Sequence, residues 1–220
     1  MAEIVTQGHG VVERVADRAL LSVTFAAHGR DRKDALHQLA RRVTRAEELL
    51  TDLVANGVEV TSRRLWAGRA WRWHVAGQER RRSGTARAEQ SYQLRVNDLD
   101  QLDELVGRLF AAEPDTFDGP HWELSDRAEA LREAQILAAQ DARRRAANYA
   151  EAVGARLGPL VRLTEGTESF PTPALGVYGA PGFAGGAPES TVAAVQDLNL
   201  EPSTIRVEAR CTTTWSLAES

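Results

Sequence analysis

The chain has 220 residues, 27 Lys plus Arg against 31 Asp plus Glu for a net charge of −4, and 43% hydrophobic residues. That much apolar material offsets the ordering entropy of folding, so disorder over most of the length, a collagen repeat, a coiled-coil fibre and a disulfide scaffold are excluded. The length suits one large domain or two small ones, and the chain is read as a single domain over 1–220.

Lys33 is the only lysine and Cys211 the only cysteine. The arginine bias reads either as high-GC coding or as selection for bidentate contacts to carboxylate and phosphate. A lone cysteine makes no internal disulfide and fits a reducing compartment. The chain opens without a basic n-region or an apolar stretch of secretory length, and no window of about 18 uninterrupted apolar residues occurs. A cytoplasmic protein without a transmembrane segment is expected.

Residues 4–15 read as an entry strand, with Gly8 and Gly10 marking a bulge or turn. Leu21, Val23 and Phe25 alternate with Ser22 and Thr24 in a second, half-buried strand. Asp31 caps a helix that runs to about Asn56, with Leu36, Leu39, Val43, Ala46, Leu50 and Leu53 on its apolar stripe and Asn56-Gly57 as its stop. Residues 58–97 form two long strands, with Arg/Trp-rich residues 63–92 as an extended hairpin whose polar tip is 78–84. One face of the outgoing strand holds Trp71, Trp73 and Val75; Tyr92, Leu94 and Val96 share a face of the return strand.

Asp98 with Gln101 resembles a capping box, and Leu99, Leu102, Val106, Leu109 and Phe110 make a short amphipathic helix. Pro114, Gly119 and Pro120 place a turn over 114–121, followed by a short strand at 121–124. The longest helix starts at Ser125 or Asp126, carries Ala134, Ala138, Ala142, Ala146 and Ala150 on one face, and ends at Gly154. Leu160–Thr164 is a strand. An uncharged Gly/Pro-rich loop follows at 169–188. The last strand alternates Ile205, Val207, Ala209, Cys211, Thr213, Trp215 and Leu217 on its buried side. The order ββαββαβαββ argues for an α+β fold, mostly antiparallel sheets packed with three helices, and against a doubly wound nucleotide fold.

The succession Arg132-Glu133-Ala134, Asp141-Ala142-Arg143-Arg144-Arg145-Ala146, Ala150, Gly154 and Leu157-Gly158 resembles the SIMPL domain (DUF541) family, which includes the brucella periplasmic immunogenic protein. Gly8-His9-Gly10, the strand from Asp17 to Phe25, the helix end Asn56-Gly57-Val58 and the run Tyr92 to Leu102 extend the resemblance over about residues 4–217. It implies a SIMPL-like α+β fold and self-assembly into ring-like or hollow homo-oligomers. It carries over no catalytic residue and leaves the exact process open, stress or the cell envelope being the processes it suggests; many relatives are periplasmic.

The charge map is lopsided. Residues 63–87 hold eight arginines against Glu79, while 98–126 hold nine acids against Arg108. These are either two solvated faces or complementary surfaces that steer self-association. The interleaved Trp66, Trp71, Arg72, Trp73 and His74 would also suit stacked bases and phosphates, but core packing of the tryptophans and the net negative charge argue against nucleic acid. Arg80, Arg81 and Arg82 complete the basic hairpin. Phe170, Tyr178 and Phe183 in the uncharged loop are either disordered or packed against another subunit or a ligand. His9, His28, His37, His74 and His121 show no metal-ligand spacing, and no nucleophile elbow, P-loop or dinucleotide glycine pattern occurs. The expectation is therefore a non-enzymatic scaffold with no metal or cofactor. The alternatives are a binding module for a small apolar ligand, peptide or protein cargo, and an uncharacterised enzyme.

Overall fold

A computed structural model of the chain describes residues 2–72, 81–166 and 200–219. Among these residues the elements are β1 (Glu3–Val15), β2 (Arg18–Gly29), α1 (Arg32–Ala55), β3 (Glu59–Arg72), β4 (Arg81–Val96), α2 (Leu102–Ala111), β5 (Thr116–Glu123), α3 (Arg127–Ala152), β6 (Ala155–Glu165) and β7 (Thr204–Glu219). Two antiparallel sheets, ordered β1-β7-β6 and β3-β4-β2-β5, together with the helices make the fold α+β, as expected. The described residues divide into two compact units, one from β1, α3, β6 and β7 and the other from Ala16–Glu123 with residues 200–202.

The Ala16–Glu123 unit runs β2-α1-β3-β4-α2-β5. This is the split βαβ arrangement, in which β4 lies between the two strands joined by α1. Alternation in β2 buries Ala19, Leu21, Val23 and Phe25, and alternation in β4 buries Ala88, Tyr92, Leu94 and Val96 on the same side. Each fully buried large side chain contributes about 1.5–3 kcal/mol by leaving water. The Asp31 side chain accepts the Asp34 N–H at the start of α1, and Gly57, at φ +91°, lies just past its end. The stripe that α1 buries is Ala35, Leu39, Ala46, Leu50 and Leu53. The expected Leu36 stays exposed, and Ala35 takes the contact because α1 begins almost on top of β2. A Cβ on Gly29 would collide with the Ala35 backbone nitrogen.

The turn expected over 114–121 is a strand instead. β5 pairs with β2 from Thr116 to Glu123 and absorbs Gly119 and Pro120 in a bulge between the Leu20 and Ser22 pairings. β5 is an edge strand, where proline's missing N–H costs the ladder nothing.

In the other unit, α3 lies across β1 and β7 with Ala130, Ala134, Ala138, Ala142, Ala146 and Ala150 all buried. Gly8 and Gly10 are not a bulge or turn. β1 pairs with β7 without a register shift from Glu3 to Val15. The glycines answer to α3: a Cβ on Gly8 would strike the Ala138 carbonyl, and one on Gly10 the Ala134 carbonyl. Small residues on both elements let strand and helix backbones touch. Thr6 completes the contact by donating Oγ1 to the Ala142 carbonyl at 2.9 Å.

Candidate functional site

The site residues expected from sequence fall into three groups. Trp73, His74, Arg80, Phe170, Tyr178 and Phe183 lie outside the described residues, as does the loop 169–188 that carries the last three. Trp71 and Arg72 end β3 and pair through their backbones with Arg82 and Arg81 of β4. Trp66 sits on the sheet face away from α1, opposite Glu89, and is 46% exposed with its ring over Gly68. Beside it, Arg87 pairs with Glu89 at 2.6 Å.

The basic and acidic blocks resolve into smaller pieces. Arg63 is taken by Glu47 at 3.5 Å and sits over the Tyr92 ring. Asp115 pairs with Arg42, Asp118 with His121, Glu123 with Arg95 and Asp126 with Arg14. Two clusters remain. Arg69, across from Ala86 in β4, joins Arg30, Arg32 and Lys33 at the start of α1 around an open cavity of about 530 Å³. Asp98, Asp100, Asp103 and Glu104 gather at the start of α2. Strand register sets these clusters at opposite ends of one sheet: Gly29, Ala86 and Arg69 are aligned at the basic end, and Ala19, Val96 and Glu59 lie at the other. The contribution of Arg30, Arg32 and Lys33 was not read from the sequence. The signal was present, because a helix that follows β2 must begin at the Gly29 end of that strand.

The β1-β7-β6 sheet ends in β6, whose outer edge has no strand neighbour among the described residues. Leu160, Val161 and Leu163 on this strand are 45%, 55% and 51% exposed. A smaller groove of about 260 Å³ lies between β6, β7 and α3, lined by Gln135, Ala138, Ala139, Leu163, Glu165 and Cys211. Sequence periodicity identified Leu160–Thr164 as a strand but carried no sign that it stands at a sheet edge.

The displaced titrations have structural causes. The His9 side chain, first, then Arg206 and Arg210, holds the Glu208 carboxyl below its usual range. Asp141 is held low chiefly by the His9 backbone N–H, and Asp34 by that of Arg30. Burial pushes the Cys211 thiol up. No group of three or more His, Cys, Asp or Glu able to hold a metal occurs among the described residues. No helix among them is long and apolar enough to cross a membrane.

A family model for SIMPL, described as a protein of unknown function (DUF541), matches residues 4–215. No curated protein matches the chain.

Proposed function

The chain belongs to the SIMPL family, and on that premise we propose that it is a non-enzymatic protein whose copies assemble into a homo-oligomeric ring or hollow scaffold. The observation that carries this reading is the β6 edge. Among the described residues β6 is an edge strand, and beyond Pro159 it presents N–H and C=O groups that another strand can pair with. A second copy of β6 satisfies those groups and sets its own apolar side chains beside the exposed Leu160, Val161 and Leu163.

Light scattering on the eluting protein tests this. At micromolar concentration the particle mass is a multiple of 24.1 kDa, and Leu160→Lys/Leu163→Lys lowers it. Wild-type protein eluting at the mass of one chain contradicts the proposal.

The apolar groove beside Cys211 favours a second reading, a binding module for a small apolar ligand, peptide or cargo. An apolar fluorescent probe such as anilinonaphthalene sulfonate would then bind and be displaced by Ala139→Phe. An unchanged signal removes this reading.

A further inference from the structure

We infer that copies of this chain dock head to tail, with the acidic cluster at the start of α2 of one copy, Asp98 to Glu104, entering the basic cavity at the start of α1 of the next. The inference rests on the self-assembly reading and names the contact that makes it propagate. Edge pairing of β6 with β6 uses the same patch on both partners, so it closes at two copies. A ring or hollow particle needs a further contact besides that one.

The Ala16–Glu123 unit supplies two patches for that contact. The cavity of about 530 Å³ is lined by Arg30, Arg32, Lys33 and Arg69, with Asp31 the only acid among its described lining residues. Asp31 is committed to the Asp34 N–H. Asp34 takes the Arg30 N–H at 2.9 Å and the Arg30 guanidinium at 3.7 Å. Arg32, Lys33 and Arg69 have no acidic partner among the described residues. Elsewhere on the same unit, Arg42, Arg63, Arg87, Arg95 and Arg108 each have a carboxylate of their own, while Arg18, Arg41, Arg45 and Arg64 form no ion pair among the described residues but are scattered outside the cavity lining.

At the far end of the sheet, Asp98 accepts the Asp100 N–H and the Gln101 side chain. Asp100, Asp103 and Glu104 form no ion pair among the described residues, and Asp100 and Glu104 are exposed. Unpaired cations at one end and unpaired carboxylates at the other leave each copy with two unlike charged ends. Complementary potentials of this kind steer docking and fix register. A second copy is the occupant the chain itself supplies, in equal number and with matching charge.

The test is a charge exchange. One variant carries Arg32→Glu and Lys33→Glu, the other Asp100→Lys and Asp103→Lys, with circular dichroism confirming that both fold. Each variant alone should show a weaker assembly, its dissociation constant raised about tenfold or more by like charges facing one another. Mixed in equal amounts, the two should rebuild particles of even subunit number, because each reversed end then meets its complement. Added salt should weaken the wild-type assembly.

Variants that keep the wild-type mass overturn the inference and leave the β6 reading standing, as does a mixture that fails to rebuild such particles. A wild-type protein of single-chain mass overturns both. Loss of a salt-sensitive shift with single-stranded DNA in the Arg32/Lys33 variant, without any change in particle mass, reassigns the cavity to nucleic acid and overturns the inference.

Discussion

Arg42 and Asp115 hold the two peptide groups that flank Ala26 of β2. Asp115 Oδ2 accepts the Ala26 N–H at 2.6 Å, Arg42 Nη1 donates to the Ala26 carbonyl at 2.6 Å, and the two side chains pair at 2.8 Å. The β5 ladder reaches only to the Thr24–Thr116 pairing, so the two side chains continue along β2 where the neighbouring strand stops. Arg42 also donates to the carbonyl of Glu113, a non-glycine residue at φ +51°.

Asp115→Ala should therefore cost about 1–3 kcal/mol, the range for a part-buried donor left without its charged acceptor. Urea unfolding measures it. Asp115→Asn keeps an acceptor for the Ala26 N–H and should recover part of the loss. Equal losses for the two variants would mean that the ion pair, and not the peptide contact, is what matters.

Tyr92 donates its hydroxyl to Glu47 Oε1 at 2.6 Å, and its ring meets Phe25 edge to face. Burial, first, and then the Glu47 carboxylate push the Tyr92 hydroxyl well above the ordinary tyrosine range. The contribution is complete below the unfolded value of about 10 and is lost as pH rises above it, because the unfolded chain then releases a proton that the folded one keeps. Tyr92→Phe should lower stability at neutral pH by about 1.5–3 kcal/mol, as for a hydrogen bond to a charged group. It should also flatten the alkaline fall in unfolding free energy. The same alkaline slope in the variant would contradict the assignment.

Gly8→Ala should destabilise the β1–α3 contact by about 1–3 kcal/mol or more, because the added methyl meets backbone. The Ala138 carbonyl lies on its path and the Ala142 nitrogen 2.6 Å away. Chemical denaturation reads the loss. Trimming the helix with Ala142→Gly should not rescue it, since the backbone atoms remain. Full rescue would show that the clash is between side chains.

Asp141 fastens α3 to the free edge of β1. Its carboxylate accepts the His9 backbone N–H at 3.2 Å and holds Arg144 at 2.6 Å, and Arg145 reaches the Gln7 carbonyl at 3.0 Å. Asp141 is held low in the folded chain, so its contribution is complete above the unfolded carboxylate value of about 3.9 and is lost as pH falls below it. Asp141→Asn should reduce the acid loss of stability in a pH series of melting temperatures. An unchanged acid limb would contradict this role.

Most of the fold was legible because burial imposes a period. β2, β4 and β7 alternate, and α3 repeats alanine every fourth residue, so their faces followed directly from Leu21–Phe25, Tyr92–Val96, Ile205–Leu217 and Ala134–Ala150. What failed were places where a long-range contact overrides a local rule. Gly8 and Gly10 looked like a break in β1, yet they serve the close approach of α3. Pro114, Gly119 and Pro120 looked like a turn, yet the edge position and bulge of β5 accept two of them within a strand. Leu36 lost its place to Ala35 because Gly29 brings α1 too near β2 for a larger side chain.

The charged ends were half legible. The acidic block was visible, but the pairing of Asp115, Asp118, Glu123 and Asp126 within the fold was not. Only the three-dimensional register joins Arg69 to Arg32 and Lys33, which lie more than thirty residues away in the chain.

Native mass spectrometry of the intact chain in a volatile buffer at near-physiological ionic strength tests the central claim most directly. A dominant species at an integer multiple of 24.1 kDa, dissociating as ionic strength rises, is the predicted result. A spectrum holding only the single chain across the micromolar range would contradict the account.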